Sequence, residues 1–262
     1  MPSLQIDNAE INYMVEGEGP WLIMLHGFGS SILDWEDHRP ILAESFRVLT
    51  LDFRGFGLSD KTGPFTIDQF SSDVIALMNH LSIDSAGLLG YSMGGAVAFQ
   101  LVLDQPDRFS QLMLVNTWDS FRPTTFRRRR EMILRNLVVR FISMEFMAKI
   151  LGKRLFHKPG QEALRAKFIR RYGANSSEVY LALLKSLPTW GVTDRLAEIT
   201  LPVLVQNAEH DYTPLSEKEA FVAAMPNSTL EIVEDMGHCS PFEDVNRSCD
   251  RIFEFFQSNP VS

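Results

Sequence analysis

The sequence has little cysteine, no long apolar run and no excess of basic residues. Its 262 residues include two cysteines, Cys239 and Cys249, which are too few for a disulfide framework, so we expect two reduced thiols. No stretch approaches the roughly 18 apolar residues of a transmembrane helix, and the first residues lack the basic and apolar pattern of a signal peptide. These absences favour a cytoplasmic protein without a transmembrane segment.

The net charge of −8 argues against a general nucleic-acid-binding protein, because neutralising phosphates requires a basic surface. The sequence also lacks an H-E-x-x-H zinc motif and a P-loop, so we expect neither a metal nor another cofactor. Apolar residues are abundant instead, at 45% hydrophobic and 11% aromatic. That content is sufficient for the core of one large domain.

Short apolar runs alternate with helical patterns along most of the chain, beginning with a predicted antiparallel hairpin at 4–6 and 11–15. Continuous apolar runs are typical of strands that are buried on both faces of a parallel sheet. Six such runs follow, at 21–25, 47–51, 86–89, 112–115, 203–205 and 230–233. This order predicts an α/β fold with a mostly parallel, doubly wound sheet of about eight strands.

Residues 120–190 interrupt the alternation. This segment shows only helical patterns, with breaks near Gly152, Pro159 and Gly173. We expect it to form a helical cap, or lid, inserted over the carboxyl edge of the sheet, where α/β proteins bind ligands. The predicted core then comprises residues 1–119 and 191–262.

The predicted cap is strongly basic. Its sixteen Lys and Arg residues against four Glu residues give a net charge of +12, which leaves −20 on the rest of the chain. Such asymmetry favours either an anionic partner or a solvated lid whose charges complement an acidic body.

The segment Gly90–Gly95 reads Gly-Tyr-Ser-Met-Gly-Gly and stands between a predicted strand and a predicted helix. A G-x-S-x-G sequence in this context forms a sharp turn that exposes the serine hydroxyl. Ser92 is therefore the candidate nucleophile. The backbone N–H of Met93, at the helix N-terminus, is a candidate donor to an oxyanion. Because a bare G-x-S-x-G recurs by chance, the prediction depends on partners elsewhere in the chain.

Two residues that follow predicted strands are candidate partners of Ser92. His238 precedes the last predicted helix and would act as the base. Asp211 follows the run at 203–205 and would hold the imidazole in the tautomer that accepts the serine proton. The chain order Ser, Asp, His is the one expected when the serine comes first. Glu209 and Asp119 remain alternative acids.

Five segments in order along the chain form a further pattern. They are His26-Gly27-Phe28-Gly29, residues 52–60 with the sequence DFRGFGLSD, Gly90–Gly95, Asp211 with Pro214, and Gly237-His238. Together these motifs resemble those of the α/β-hydrolase family, in its small, capped, single-domain form, over nearly the whole chain. The resemblance implies that the backbone N–H of Phe28 is a second oxyanion donor, that Trp35 lies near the substrate pocket with Tyr91, and that no cofactor is needed. One departure is Ala208, where the family usually has glycine.

Two further roles are expected from these motifs. His26 should brace the turn that carries Phe28, and Asp52 should tie its own loop through Arg54.

A serine at the turn favours attack on a carbonyl and an acyl-enzyme, whereas relatives that open epoxides or displace halide have an aspartate there. We therefore expect a carboxylic-ester hydrolase acting on a small-molecule ester. The basic cap leaves open an acidic acyl-carrier protein bearing a methyl ester, an anionic substrate of the enol-lactone type, or an anionic membrane. A carbon–carbon bond hydrolase and a non-enzymatic receptor on the same fold also remain alternatives.

Overall fold

A single eight-stranded sheet organises the protein in the computed structural model, which describes residues 1–123 and 126–258. The strand order across the sheet is β1-β2-β4-β3-β5-β6-β7-β8. The strands are β1 (Ser3–Ile6), β2 (Ala9–Glu16), β3 (Trp21–Leu25), β4 (Arg47–Leu51), β5 (Ala86–Tyr91), β6 (Phe109–Val115), β7 (Val203–His210) and β8 (Ser228–Gly237).

Strand β2 runs antiparallel to both of its neighbours, and every pair from β4 to β8 is parallel. The predicted hairpin forms with Leu4 opposite Ile11. The structure therefore confirms the mostly parallel sheet of about eight strands.

The helices cover both faces of this sheet. They are α1 (Arg39–Leu42), α2 (Ile67–His80), α3 (Met93–Asp104), α4 (Phe126–Phe141), α5 (Met144–Leu155), α6 (Glu162–Gly173), α7 (Ser177–Ser186), α8 (Leu215–Ala223), α9 (Ser240–Glu243) and α10 (Val245–Gln257). Short 3-10 turns at Ile32–Trp35, Pro106–Arg108, Leu187–Thr189 and Thr193–Glu198 complete the regular structure.

Successive residues of the buried strands belong to two separate clusters. In β3, Ile23 and Leu25 pack with α2, α3 and α8, whereas Leu22 and Met24 pack with α1 and α10. Because successive side chains of a strand point to opposite faces, a strand covered on both sides needs apolar residues at every position. This explains the continuous apolar runs.

Four helices, α4 to α7, lie between β6 and β7 and are called the inserted helices below. Ser120 and Gly191 form an isolated antiparallel bridge where the chain leaves and rejoins the sheet region. The inserted helices have a small apolar cluster of their own, and the Phe28 ring stacks on Tyr180 with ring centroids 4.3 Å apart. They are thus anchored on the turn that follows β3.

Part of the predicted basic cap lies outside the described residues. The structure does not describe Thr124 and Thr125, and it does not describe the side chains of Arg127, Arg128, Glu131 and Arg135.

Among the described residues, no helix is long and apolar enough to span a bilayer.

The expected link between Asp52 and Arg54 is wrong. The Asp52 carboxylate accepts hydrogen bonds from the backbone N–H groups of Ile32, at 2.7 Å, and Leu58, at 2.9 Å. Arg54 instead pairs with Asp73 of α2, with Nε 2.6 Å from Oδ2. The loop is therefore tied through backbone donors, while the guanidinium attaches it to a helix.

Candidate active site

The candidate site lies where the strand order of the sheet reverses. Strand β3 has β4 on one side and β5 on the other, so the turns after β3 and β5 meet at the carboxyl edge of the sheet. A Cβ placed on Gly27, after β3, would lie 3.5 Å from the Cβ of Ser92, after β5. Such a reversal point is where open α/β sheets bind ligands.

Ser92 is held in a conformation that few non-glycine residues adopt, with φ +53° and ψ −116°. The turn requires very close backbone packing. A Cβ on Gly90 would lie 2.5 Å from the carbonyl oxygen of Gly94, and a Cβ on Gly94 would overlap the carbonyl of Leu25. The Thr117 hydroxyl donates to the Ser92 carbonyl at 2.6 Å, which holds the turn from the β6 side.

The structure brings Ser92, His238 and Asp211 into one hydrogen-bonded chain. Nε2 of His238 lies 3.1 Å from Oγ of Ser92, and Nδ1 lies 2.7 Å from Oδ1 of Asp211. Because an ionised carboxylate can only accept, Nδ1 carries the proton and Nε2 presents its lone pair to the serine. This arrangement can remove a proton from the serine hydroxyl.

The two alternative acids have other partners. Asp119 accepts a hydrogen bond from the hydroxyl of Thr193, and Glu209 accepts one from the backbone N–H of Asp235.

The environment of Asp211 favours its ionised form. Burial opposes ionisation, but the hydrogen bonds from His238 and Thr213 and the nearby charge of Lys218 outweigh it and hold the pKa of Asp211 below its usual value. Lys218 itself is fully buried, and its ammonium donates to the backbone carbonyl of Thr117. The lysine therefore acts on Asp211 through its charge and is hydrogen-bonded to Thr117, the residue that holds the Ser92 turn.

Phe28 and Met93, the predicted oxyanion donors, both border the cavity above Ser92. Met93 is the first residue of α3, where backbone N–H groups have no acceptor within the helix. His26 braces the other turn: Nδ1 donates to the carbonyl of Gly27 at 2.8 Å, and Nε2 accepts from the N–H of Phe53 at 3.0 Å. Burial lowers the pKa of His26, which keeps it in this neutral tautomer.

A cavity of about 1080 Å³ opens over Ser92, between the sheet edge and the inserted helices. It is at the upper end of the size range of small-molecule sites. Tyr91 lines it, as the motif suggests, but Trp35 does not. The Trp35 ring is buried behind the wall, 6.4 Å from the Tyr91 ring and 5.8 Å from that of Phe242, so it supports the pocket from outside. The apolar lining includes Met132, Leu134, Met147, Leu151, Leu164 and Phe168.

Sequence reasoning missed Asn116 and Tyr212. The Asn116 amide donates to the His238 carbonyl at 2.7 Å, and its oxygen accepts from the Ala208 N–H at 2.8 Å, so it links the candidate base to the end of β7, the strand that leads to Asp211. The Tyr212 hydroxyl lies 3.1 Å from Nε2 of His238. Both residues could have been found from their positions in the sequence, because Asn116 directly follows β6 and Tyr212 is adjacent to Asp211.

Asp34, another residue that was missed, is an acid in the cavity wall. Its carboxylate accepts from the Ser30 hydroxyl, while Oδ2 is buried with no hydrogen-bond partner among the described residues. Burial, opposed by hydrogen bonding to Ser30 and to the Gly27 backbone and by the charges of Arg171 and Lys167, raises the pKa of Asp34 to about 6. No motif marks this residue.

One cluster among the described residues has ligand atoms close enough to hold a metal ion. Glu209, His210 and Asp235 place theirs within 4.8 Å of one another, but all three are exposed and none lines the cavity. Both cysteines are buried free thiols.

The family model for the alpha/beta hydrolase fold matches residues 20–245. The chain is 28% identical over 240 residues to 3-oxoadipate enol-lactonase 2 of Acinetobacter baylyi, covering 88% of each protein.

Two solved structures are also similar. One is the enol-lactonase from Burkholderia xenovorans, with a TM-score of 0.88 and 25% identity over 97% of this chain and 99% of that one. The other is a thermophilic esterase from Thermogutta terrifontis, with a TM-score of 0.87 and 28% identity over 97% and 95%. The family model covers β3 to β8 and the inserted helices, and the chain therefore belongs to the alpha/beta hydrolase fold family and is a hydrolase.

Proposed function

We propose that the protein is a serine hydrolase that cleaves carboxylic esters through an acyl-enzyme. The observation that carries the proposal is the chain of contacts from Ser92 Oγ to His238 Nε2, 3.1 Å, and from His238 Nδ1 to Asp211 Oδ1, 2.7 Å. This is the order of contacts by which a base activates a serine and a buried acid orients the base.

In the first half of the reaction, His238 takes the hydroxyl proton as Ser92 Oγ attacks the ester carbonyl. The carbonyl oxygen becomes negative and is stabilised by the backbone N–H groups of Phe28 and Met93. When the tetrahedral intermediate collapses, His238 gives its proton to the departing alcohol. Ser92 is then acylated.

In the second half, a water molecule takes the place of the alcohol. His238 removes a proton from this water, which attacks the acyl carbonyl, and the regained proton returns to Ser92 Oγ as the carboxylic acid leaves. Asp211 remains ionised throughout and stabilises the imidazolium. The lowered pKa of Asp211 is consistent with this role.

Hydrolysis of an anionic lactone is a second candidate, which uses the same steps on a cyclic ester. Three cations among the described residues of the cavity wall favour it: Arg154, Lys167 and Arg171. Lys167 and Arg171 are already paired with Glu36, whereas Arg154 lies 5.5 Å from the centre of the Tyr212 ring. Arg154 is therefore the better candidate to bind a free carboxylate on the substrate. The similarity to two enol-lactonases supports the same choice.

The test combines turnover with labelling. Steady hydrolysis of a neutral aryl ester should be abolished by Ser92→Ala, and a fluorophosphonate probe should modify Ser92 alone, as mapped by peptide mass spectrometry. Labelling at another residue, or turnover that survives Ser92→Ala, would contradict the proposal. A single stoichiometric burst without turnover would favour a receptor. A set of neutral and carboxylate-bearing lactones, assayed with Arg154→Gln, then separates the two ester classes.

A further inference from the structure

Helix α4 presents an apolar stripe to solvent. The Phe126 and Phe141 side chains, at its two ends, are 83% and 82% exposed, and Ile133 and Leu134 are 56% and 60% exposed. At about 100° per residue these four positions fall within an arc of roughly 100°, and Val139, which is buried, lies on the opposite side. A surface helix normally turns its apolar side inward and its polar side to water.

Basic residues lie along the same exposed face. Arg129, Arg130 and Arg140 are all exposed, and on the helical wheel they fall within or beside the apolar stripe. Exposed aromatic and aliphatic side chains combined with Arg and Lys are the mark of a helix that lies in a lipid–water interface. The net charge of +12 on residues 120–190 disfavours a second copy of the same face as the partner and favours an anionic one.

The apolar surface continues into the cavity over Ser92. Leu134 of α4 and Ile150 of α5 both line the cavity and are 60% and 47% exposed, so they form part of its mouth. Phe146, one turn before Ile150, is also exposed. An amphiphilic molecule could therefore pass from an apolar layer against α4 to Ser92 along an apolar path.

We propose that the exposed face of α4, together with Phe146 and Ile150 of α5, docks on an anionic lipid surface, with the cavity mouth toward the lipid. The rest of the chain carries −20 and is repelled by the same surface, which favours this orientation. The phenylalanine rings insert among the acyl chains while the arginines contact lipid phosphates. This docking does not depend on the proposed ester hydrolysis, because it uses no residue of the Ser92 chain of contacts.

The test is vesicle sedimentation of the full-length protein in a Ser92→Ala background, which prevents turnover of the lipid. The vesicles are phosphatidylcholine alone, or phosphatidylcholine with one third phosphatidylglycerol. We expect binding to the anionic vesicles only, weakened by added salt. The double variant Phe126→Ser/Phe141→Ser should lower the partition coefficient at least tenfold, because two inserted rings are lost. Arg129→Gln/Arg130→Gln should also weaken binding to the anionic vesicles, because two contacts to lipid phosphates are lost.

The matched control is Leu58→Ser/Lys61→Gln, which removes one exposed apolar and one exposed basic side chain from a loop of the sheet region; Leu58 is 69% exposed. It should bind vesicles as the parent does. In protein that retains Ser92, Phe126→Ser/Phe141→Ser should hydrolyse an aryl ester at the rate of the parent. This result would show that the variant folds.

Three outcomes would overturn the proposal. The first is no binding to anionic vesicles, and the second is binding that is indifferent to Phe126 and Phe141. The third is binding to an acidic polypeptide such as polyglutamate, dependent on Arg129 and Arg130, with no binding to vesicles; this result would assign the face to an acidic protein instead.

Discussion

The hydroxyl of Tyr212 lies 3.1 Å from Nε2 of His238, the same nitrogen that lies 3.1 Å from Ser92 Oγ. A neutral imidazole whose Nδ1 proton points to Asp211 offers only one lone pair at Nε2. The two hydroxyls therefore compete for one acceptor. The Tyr212 ring also packs against the imidazole, with centroids 4.3 Å apart.

We expect Tyr212→Phe to accelerate labelling of Ser92 by a fluorophosphonate about two- to tenfold, the equivalent of one hydrogen bond of ordinary strength. Phenylalanine keeps the ring contact but frees the lone pair. Tyr212→Leu is the matched variant: it removes the ring as well, and should label more slowly than Tyr212→Phe. Equal labelling of Tyr212→Phe and the parent would show that the hydroxyl has no effect, and slower labelling would show that it assists Ser92; either result would contradict the expected competition.

The acid of the proposed mechanism can be identified by three isosteric replacements. Asp211→Asn should lower ester turnover by several orders of magnitude, because an amide can favour the wrong imidazole tautomer. Asp119→Asn and Glu209→Gln should remain within about twofold of the parent, since neither carboxylate contacts His238. Near-normal kcat in Asp211→Asn with a large loss in Asp119→Asn would move the role to Asp119.

A residue of the candidate site could be predicted from the sequence when its neighbours in the structure are also close to it in the sequence. Ser92 and its glycines lie in one six-residue turn, and His238 and Asp211 each follow a strand, so motif and position were sufficient to select them. Asn116 also follows a strand and could have been found by the same rule.

The environments of Asp34 and Arg54 could not be predicted in this way, because they come from distant segments. Burial of the Asp34 carboxyl depends on the cavity wall, and Arg54 pairs with Asp73 on a helix nineteen positions later. The outward apolar face of α4 could not be predicted either, because a helical apolar pattern does not say which side meets the protein. The packing of Val139 against the other inserted helices shows which side of α4 faces the protein.

The raised pKa of Asp34 predicts a pH-dependent cost to the folded state. Because its pKa rises from 3.8 to about 6 on folding, the folded protein holds this proton more tightly than the unfolded chain. Stability from this group is therefore fully present below pH 3.8 and is lost as the pH rises to about 6. Asp34→Asn should gain stability relative to the parent over that window, reaching about 1–3 kcal/mol above pH 6.

The measurement is urea unfolding of both proteins from pH 4 to pH 8. Asp37→Asn serves as the control, since Asp37 is more than half exposed and pairs with Lys167 at the surface. A difference between Asp34→Asn and the parent that does not change with pH would contradict the assignment.

Lys218 should act on the site without touching substrate. Its ammonium is buried, donates to the Thr117 carbonyl and lowers the pKa of Asp211, and the Thr117 hydroxyl in turn holds the Ser92 carbonyl. Lys218→Met keeps the length of the side chain but removes its charge and its hydrogen bond. We expect kcat for an aryl ester to fall about 10- to 100-fold, the range for one hydrogen bond to a charged group, with little change in KM.

A pH series distinguishes this role from simple packing. The Lys218–Asp211 attraction stabilises the folded state only while Asp211 is ionised, so it is fully present above the unfolded pKa of 3.8 and is lost as the pH falls through the lower folded pKa. The difference in unfolding free energy between Lys218→Met and the parent should therefore be largest at neutral pH and shrink in acid. Glu219→Met, an exposed change on the same helix, should show neither effect. A loss of stability that is the same at every pH, with kcat unchanged, would mean that Lys218 only fills space beneath the site.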